Sequence, residues 1–576
     1  MVKDYSEWEI TIDYENESPY VDPNRPWLKD RPPTVPKTIK YEPIPVHEFI
    51  RQTANKFPNN VCVYHKPTDK KYTYRELIHY ADRIANALYE LGIGKGDSVC
   101  IMSGNSPEFL FCVLGIMETG AAVVPINPLL KEEDVIHIIR ESGNVKAFFI
   151  SNPIFRYIKK AKRVLAKEKI EVPNVILLGA EEAKEESVTL QEFIDDVPPK
   201  QPDVDIDPDN DIAALLFTGG TTGLPKGVML THTNLVADSL STIYNSDEPI
   251  EELEATAGTG VNLSILPLCH TFGFTVVIIA LRAGMMLVMF ASFDPAEVLE
   301  AIEYYKIELF VGVPVMFQMV INHPDFTERD LSSLERAASG SAALAPELSK
   351  KWEEVVGTKV GQGYGLTESS PITHGAVLWM DIIAESIGIP IIDTDAKIVN
   401  PDTLDELPPG EIGELLIRGR QVMKGYWKHP DDTAKTIVNG WLRTGDLARM
   451  DEKGYFFIEG RTKDMVKYKG YKVMPREVEE KLMEHPAILE VGVAGIPDPN
   501  IGETIKAWIV LKPEYRDKGI TEREIIEWSK ERLAGYKYPR HIEFIRALPR
   551  TAVGKIFRRK LRDMELEKTE KALKSV

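Results

Sequence analysis

From Thr73 to Ile150 the chain alternates helix-forming and strand-forming stretches without a break, and this rhythm restricts the fold more than any other feature. Thr73-Tyr-Arg-Glu76 is a capping box, in which each end side chain bonds the other residue's backbone N–H. It predicts a helix whose Leu77, Ala81, Ile84, Leu88 and Leu91 keep helical spacing until Gly92 stops it. Ser98-Val-Cys-Ile-Met102 reads as a buried strand, Pro107 opens a helix ending at Gly120, and Ala121 to Ile126 forms a second strand. Glu132 to Ser142 is helical again, and Lys146 to Ile150 is a third strand. Apolar strands separated by helices predict an α/β fold whose doubly wound parallel sheets are covered on both faces. Ligands of such sheets bind beyond the carboxyl ends of the strands.

One strand end has the chemistry for this. Ala213-Ala-Leu-Leu-Phe runs into Thr218-Gly-Gly-Thr-Thr-Gly223, followed by Leu224, Pro225, Lys226 and Gly227. Glycines bring backbone N–H groups close to a ligand, threonines add short donors, and the lysine adds a mobile ammonium. Together they make an anion cradle suited to a polyphosphate. The spacing is not that of the common nucleotide loop, since no Ser or Thr follows Lys226. A stretch this rich in Gly and Thr also suits a plain surface loop. The strand before it and the lysine after it favour the cradle.

The 576 residues exceed one ordinary core, so two or more domains are expected. With 69 basic and 88 acidic residues the formal charge is −19, which argues against nucleic acid or an anionic membrane as partner. Cys62, Cys100, Cys112 and Cys269 lie in apolar surroundings without metal-ligand spacing. They read as buried thiols of a reducing compartment. With the polar, acidic opening Met1-Val-Lys-Asp-Tyr-Ser-Glu-Trp8, which is no secretory signal, they point to the cytoplasm. Phe272 to Ala291 is long and apolar, but Arg282 stands within it beside Gly284. A buried helix followed by a strand is expected there, not a membrane span.

Residues 1–45 are rich in Pro, Asp, Glu and Tyr, and read as an extended arm on the surface with no core of its own. The arm leaves room for a homodimer interface. Past residue 460 the composition shifts. Pro475-Arg-Glu-Val-Glu-Glu480 opens a helix with acids in its first turn, and Ile488–Val493 and Ala507–Leu511 read as strands. A second capping box, Thr521-Glu-Arg-Glu524, precedes a helix and then a strand at Ile542–Ile545. These elements predict a compact α+β unit of roughly a hundred residues, enough for its own core.

Six further stretches carry chemistry: Pro267-Leu-Cys-His-Thr-Phe-Gly273, Gly340-Ser-Ala-Ala343, Gly363-Tyr-Gly-Leu-Thr-Glu368, Trp441-Leu-Arg-Thr-Gly-Asp446, Gly460-Arg-Thr-Lys463 continuing to Gly470, and Pro549-Arg-Thr-Ala-Val-Gly-Lys555. With the Thr218 loop, in this order and spacing, the chain resembles the adenylate-forming superfamily of acyl- and aryl-CoA synthetases, peptide-synthetase adenylation domains and beetle luciferases. The likeness covers essentially everything after the arm.

The resemblance implies a large N-terminal domain over residues 46–462 and a small mobile C-terminal lid over 463–576, joined by a hinge. It also implies ATP, Mg²⁺ and coenzyme A as cofactors and substrates. Thr218, Gly219, Gly220, Thr221, Thr222, Gly223 and Lys226 would hold the β- and γ-phosphates. Tyr364, between Gly363 and Gly365, would stack on adenine, with Gly340, Ser341 and Ala342 on the same face. Thr367 would contact the α-phosphate and Glu368 would hold Mg²⁺. Asp446 would take the ribose hydroxyls with Arg461 nearby, and Lys463 falls at the hinge. Lys555 would be the adenylation lysine, while Lys469 and Gly470 would border the path of the thiol. His270 either lines the carboxylate pocket or is a satisfied core residue. Arg540 and Arg558-Arg-Lys560 either meet the CoA phosphates or are solvated.

The chemistry asked of these residues is consistent. Attack of a carboxylate on the α-phosphorus brings two anions together, so cations and N–H donors are the useful catalytic groups. An ionised Asp accepts from two adjacent hydroxyls, which suits Asp446 to ribose. Within the superfamily, His270-Thr-Phe-Gly273 lacks the acid that pairs a substrate ammonium in amino-acid activating members. No carrier domain follows Lys555, so a free thiol, CoA, is the expected acceptor. Phe272–Val277 and Val311-Gly-Val-Pro-Val-Met-Phe317 are apolar and are the candidate acyl-pocket segments. A medium- or long-chain fatty acid is the favoured substrate. An aryl or short hydroxy acid, a luciferin and a non-catalytic nucleotide-binding relative are the alternatives.

Overall fold

The computed structural model describes residues 3–218, 224–245, 257–377, 379–469, 471–498, 501–550 and 556–574, without the side chains of 472 and 569–574. By packing the chain divides into two compact units, Met1–Ala396 with Ile417–Leu442, and Lys397–Leu416 with Arg443–Val576.

The first unit carries the predicted alternation. Its eight-stranded sheet runs, edge to edge, Gly425–Tyr426, Lys226–Thr231, Ile212–Thr218, Ala122–Ile126, Ser98–Met102, Val145–Ser151, Val175–Leu178, Ser187–Thr189. The last six are parallel, and the first two are added antiparallel. A nine-stranded sheet has a parallel centre of Val61–His65, Met286–Met289, Val261–Ser264, Leu309–Gly312, Arg336–Ser339 and Val360–Gly365, again with antiparallel edges.

Period two along each strand sends side chains to both faces, and both faces are buried. Val99 and Ile101 enter the central core with Leu287 and Met289 of the second sheet. Their neighbours Cys100 and Met102 enter an outer core beneath helices Glu132–Ser142 and Phe155–Lys167. Leu263, Val288 and Phe310 of the second sheet face its own outer helices, Pro295–Tyr305, Pro314–Ile321 and Pro346–Val356. The two sheets share the helices between them, so the unit is five layers deep, α/β/α/β/α. The Thr73–Glu76 capping box forms as predicted and starts helix Tyr74–Glu90. Phe272–Ala291 becomes the buried helix Thr271–Arg282 and the central strand Met286–Met289. No helix among the described residues is long and apolar enough to cross a membrane.

The N-terminal arm departs from expectation. Ile10–Asp13 pairs antiparallel with Thr38–Tyr41, and Trp27 and Val35 are each 1 % exposed. Tyr5, Ile39 and Ile44 belong to the central core. Arg25 donates from Nε to Asp395 Oδ1 at 2.7 Å, and Ser18 Oγ donates to Asp393 Oδ1 at 2.6 Å. Proline fixes an extended backbone, but that does not keep the residues between prolines on the surface. Here those residues fill the first unit's core and partner its buried acids.

In the second unit Ile488–Asp498 and Gly502–Leu511 form a long hairpin, extended by Val466–Tyr468, Tyr471–Val473 and the parallel strand His541–Phe544. Helices Pro475–Met483 and Glu522–Lys530 cover one face, and Leu561 of Arg558–Lys574 packs with Trp508 and Ile496 on the other. This is the predicted α+β architecture. The packing boundary falls earlier than 462/463, because Asp446 to Met450 pair with Phe456–Arg461.

Trp27 tests the anchoring of the arm. Trp27→Ala should cost about 3–5 kcal/mol, the range for truncating a buried aromatic. It should lower the urea midpoint of the first unit's transition, followed by tryptophan fluorescence. An unmoved midpoint would mean that the arm is detached in solution.

Candidate active site

Thr218, Gly340 and Tyr364, which the sequence assigns to phosphate and adenine, lie at or just beyond the carboxyl ends of strands in the first unit. Thr218 ends its strand directly opposite Lys226 in the antiparallel register, so the ends of the Gly/Thr loop meet at one sheet edge. Gly219, Gly220, Thr221, Thr222 and Gly223 lie outside the described residues. His137 Nε2 donates to the Pro225 carbonyl at 2.7 Å and pins the loop's far end. Lys226 Nζ lies 2.5 Å from Asp432 Oδ2, with each side chain about a third exposed. Lys226 holds the Asp432 carboxyl below its usual range.

Glu368 follows the strand Val360–Gly365 in the short 3-10 turn Thr367–Ser369. Its Oε1 accepts from the Tyr426 phenol at 2.7 Å. The same tyrosine ring lies 5.6 Å from Lys226 Nζ. One aromatic side chain thus touches both charged groups that the sequence picked out. The segment carrying it bonds to both loops, with Met423 N–H donating to Glu368 O at 2.9 Å and Trp427 N–H to Gly227 O at 2.8 Å. Tyr426 and Asp432 were not found from sequence. The one available signal was an aromatic beside a glycine in Gly425-Tyr-Trp, and nothing local distinguishes it from core.

Among the described residues no cluster of three or more His, Cys, Asp or Glu exists that would cage a metal. A single half-buried carboxylate does fit Mg²⁺, which keeps its waters and is held by one or two carboxylates plus substrate phosphates.

Tyr364 stands opposite His374 in the register, with ring centroids 5.9 Å apart at 74°. Burial pushes His374 down to about 3, so a neutral imidazole backs the tyrosine ring. A Cβ at Gly365 would fall 1.8 Å from the Pro371 carbonyl oxygen, so no other residue fits there. A Cβ at Gly363 would meet only ordinary contacts. Gly340 follows the neighbouring strand, with Ser341 in the left-handed region at φ 68° and Ala342 beyond. Leu344 N–H donates to Gln362 Oε1 at 2.8 Å, which holds this turn beside the strand of Tyr364.

The two acyl-pocket segments come together. Phe272 and Val276 of helix Thr271–Arg282 pack with Leu266, Val311, Val313 and Met316. A Cβ on Gly340 would strike the Phe272 ring at 2.8 Å, so the apolar stripe begins against the Gly340 turn. Thr275 Oγ1 donates to Ser370 O at 2.7 Å and ties the same helix to the Glu368 turn. The helix's opposite face borders an apolar void of about 20 Å³ among Phe109, Leu114, Phe274 and Ile278, too small for a hydrocarbon chain. His270 is the N-cap of this helix, its Nδ1 accepting from Phe272 N–H at 3.4 Å, and it is only half-buried. That gives it a structural task whatever its part in the pocket.

The second unit holds the rest. Asp446, 4 % exposed, accepts from Arg461 Nε at 2.9 Å, and the two residues are register partners across a hairpin. Gly445 turns at φ 69° and Thr462 N–H donates to its carbonyl, which sets the turn containing Lys463 next to Asp446. Lys469 is exposed in the left-handed region at φ 51°. Gly470 and Lys555 lie outside the described residues. The residues flanking Lys555 are joined, since Arg550 bridges Ile556 and Phe557 N–H donates to Pro549 O at 2.8 Å.

Residues 50–427 match the family model of the AMP-binding enzymes, and residues 477–555 match the model of their C-terminal domain. The chain belongs to the AMP-binding enzymes. Within this adenylate-forming superfamily, a long-chain-fatty-acid–CoA ligase of Bacillus subtilis is 36 % identical over 566 residues, 94 % of this chain and 98 % of that protein. The crystal structure of ATP-bound MatB from Rhodopseudomonas palustris superposes with a TM-score of 0.80 at 27 % identity, covering 90 % of this chain and 99 % of that one. A Mycobacterium tuberculosis fatty acyl CoA synthetase superposes with a TM-score of 0.73 at 30 % identity, covering 90 % and 98 %. The large α/β unit and the small α+β unit are those of this family.

In this AMP-binding enzyme Asp432 pairs with the ammonium that the sequence assigns to the triphosphate. Asp432→Asn should therefore lower the KM for ATP, by up to about five-fold, the factor set by an exposed ion pair of ~0.2–1 kcal/mol. Initial rates against ATP concentration measure it. A raised KM would make Asp432 a support for Lys226 instead of its competitor.

Proposed function

We propose that this AMP-binding enzyme is an AMP-forming fatty acyl-CoA synthetase. The observation that carries the reading is the placement of Lys226 and Glu368 around Tyr426, in one unit with an apolar stripe. The kinship to ligases of long-chain fatty acids supports the acid class.

In the first half-reaction a carboxylate oxygen attacks the α-phosphorus of ATP, the bond to the bridging oxygen breaks, and acyl-AMP and pyrophosphate form. Lys226 and the Thr218 loop bind the departing phosphates. Glu368 would hold Mg²⁺, which supplies positive charge to the phosphates when bound. Tyr364 offers a ring for the adenine, and Asp446 accepts from the ribose hydroxyls. Thr367, in the same turn as Glu368, is within the phosphate region. Lys555 is assigned the charge developing at the α-phosphate. In the second half-reaction the CoA thiol attacks the acyl carbon and AMP leaves, with Lys469 and Gly470 beside the thiol's path. The exposed Tyr471 ring stacks on Tyr536 at 4.5 Å, close in sequence to both Lys469 and Lys537, and this cationic aromatic face suits the nucleotide end of CoA. The lid that follows Lys463 serves both steps by turning about that residue, because one arrangement does not accommodate both the phosphate-side cation and a thiol channel.

The apolar stripe separates homologous acids weakly, by ~1–3 kcal/mol per methylene, so several chain lengths are expected to react. The test is product analysis with ATP, Mg²⁺, CoA and a panel of acids: AMP, pyrophosphate and the thioester of medium- or long-chain acids are expected. ADP and orthophosphate would refute the reading, and preference for aryl acids would move the substrate class. Lys555→Ala should abolish pyrophosphate exchange yet leave thioester formation from a preformed acyl adenylate. Equal loss of both would refute the division of labour.

A further inference from the structure

We propose that Tyr426 is a positioning residue that couples the two charged grips on the triphosphate, turning the Glu368 carboxylate toward a divalent cation while its ring bears on the Lys226 ammonium. The inference rests on the reading of Lys226 and Glu368 given above and adds a residue to it.

The geometry is specific to the side chain. Tyr426 is already held by its backbone, through pairing with Val228 and an N–H bond to Thr433 Oγ1 at 2.8 Å. The strand therefore does not need the phenol in order to form. The hydroxyl instead reaches across to Glu368 Oε1 at 2.7 Å, from one sheet's edge to the loop of the other. A hydrogen bond on one carboxylate oxygen fixes the plane of the group and leaves the second oxygen as the better metal donor. The ring centroid, 5.6 Å from Lys226 Nζ, is within reach of a cation–π attraction. A shift of the phenol thus moves the cation's carboxylate and the phosphate lysine together.

The experiment measures Mn²⁺ binding to the full chain by electron paramagnetic resonance, in the presence of unreactive α,β-methylene-ATP. Wild type, Tyr426→Phe, Glu368→Gln and the double variant are compared, with melting curves for each. Tyr426→Phe should weaken Mn²⁺ binding about 10- to 100-fold, as loss of a ligand's orienting partner does. Glu368→Gln should weaken it at least as much, and the double variant should be no weaker than Glu368→Gln alone. Pyrophosphate exchange by Tyr426→Phe should fail first at low metal and recover as metal is raised. If Glu368→Gln weakens binding and Tyr426→Phe does not, the role of Tyr426 is overturned and the reading of Glu368 stands. If neither changes it, both are overturned. Additive losses, or a collapsed melting curve for Tyr426→Phe, would overturn the proposal by showing that the hydroxyl serves the fold.

Discussion

The short segment Met423 to Trp427 holds the first unit's catalytic half together. It donates backbone bonds to Glu368 O, to Met229 O and to Gly227 O, at 2.9, 3.0 and 2.8 Å. The first partner belongs to the loop after the nine-stranded sheet, and the other two to the antiparallel edge of the eight-stranded sheet. Each such bond contributes only about 1 kcal/mol to stability. Their effect here is on geometry: three bonds over five residues fix how far the Thr218–Lys226 hairpin stands from the Glu368 turn. Gly425 belongs to this requirement, since a Cβ there would fall 2.7 Å from Thr433 Cγ2, the residue whose hydroxyl receives Tyr426 N–H.

The same economy governs the acyl side. Helix Thr271–Arg282 is started by His270, anchored to the Glu368 turn by Thr275, and pressed against the Gly340 turn by Phe272. The apolar stripe, the Gly340 turn and the Glu368 turn are therefore referenced to one rigid element. The glycine at 365 is demanded by the Pro371 backbone, the one at 340 lies against the Phe272 ring, and the one at 363 meets only an ordinary contact.

What was legible in the sequence was whatever is written locally. Capping boxes at Thr73 and Thr521, proline at the starts of helices, and period-two burial all gave elements in the right places. The position of the Gly/Thr loop after a strand was legible, because the apolar run Ala213 to Phe217 precedes it directly. The Asp446–Arg461 pair was legible only through the family's order of motifs, yet the hairpin makes it a simple register pair. Contacts between distant stretches were hidden. Lys226 and Asp432 are 206 positions apart, and a lysine next to a glycine loop gives no hint of which acid neutralises it. The arm was misjudged for a related reason. Proline reports backbone shape, whereas burial of Trp27 and Arg25 depends on Asp395 and a core that the arm does not itself encode.

That last pairing has a consequence during synthesis. Ser18 and Arg25 find their carboxylates 375 and 370 positions later. At ribosomal speeds of ~5–20 residues per second, roughly 20 to 75 seconds separate the birth of the arm from that of its partners. For that interval the Ser18 hydroxyl and the Arg25 guanidinium travel without the carboxylates that anchor them. The nascent chain thus offers chaperones and proteases a timed window that closes when Asp393 and Asp395 emerge.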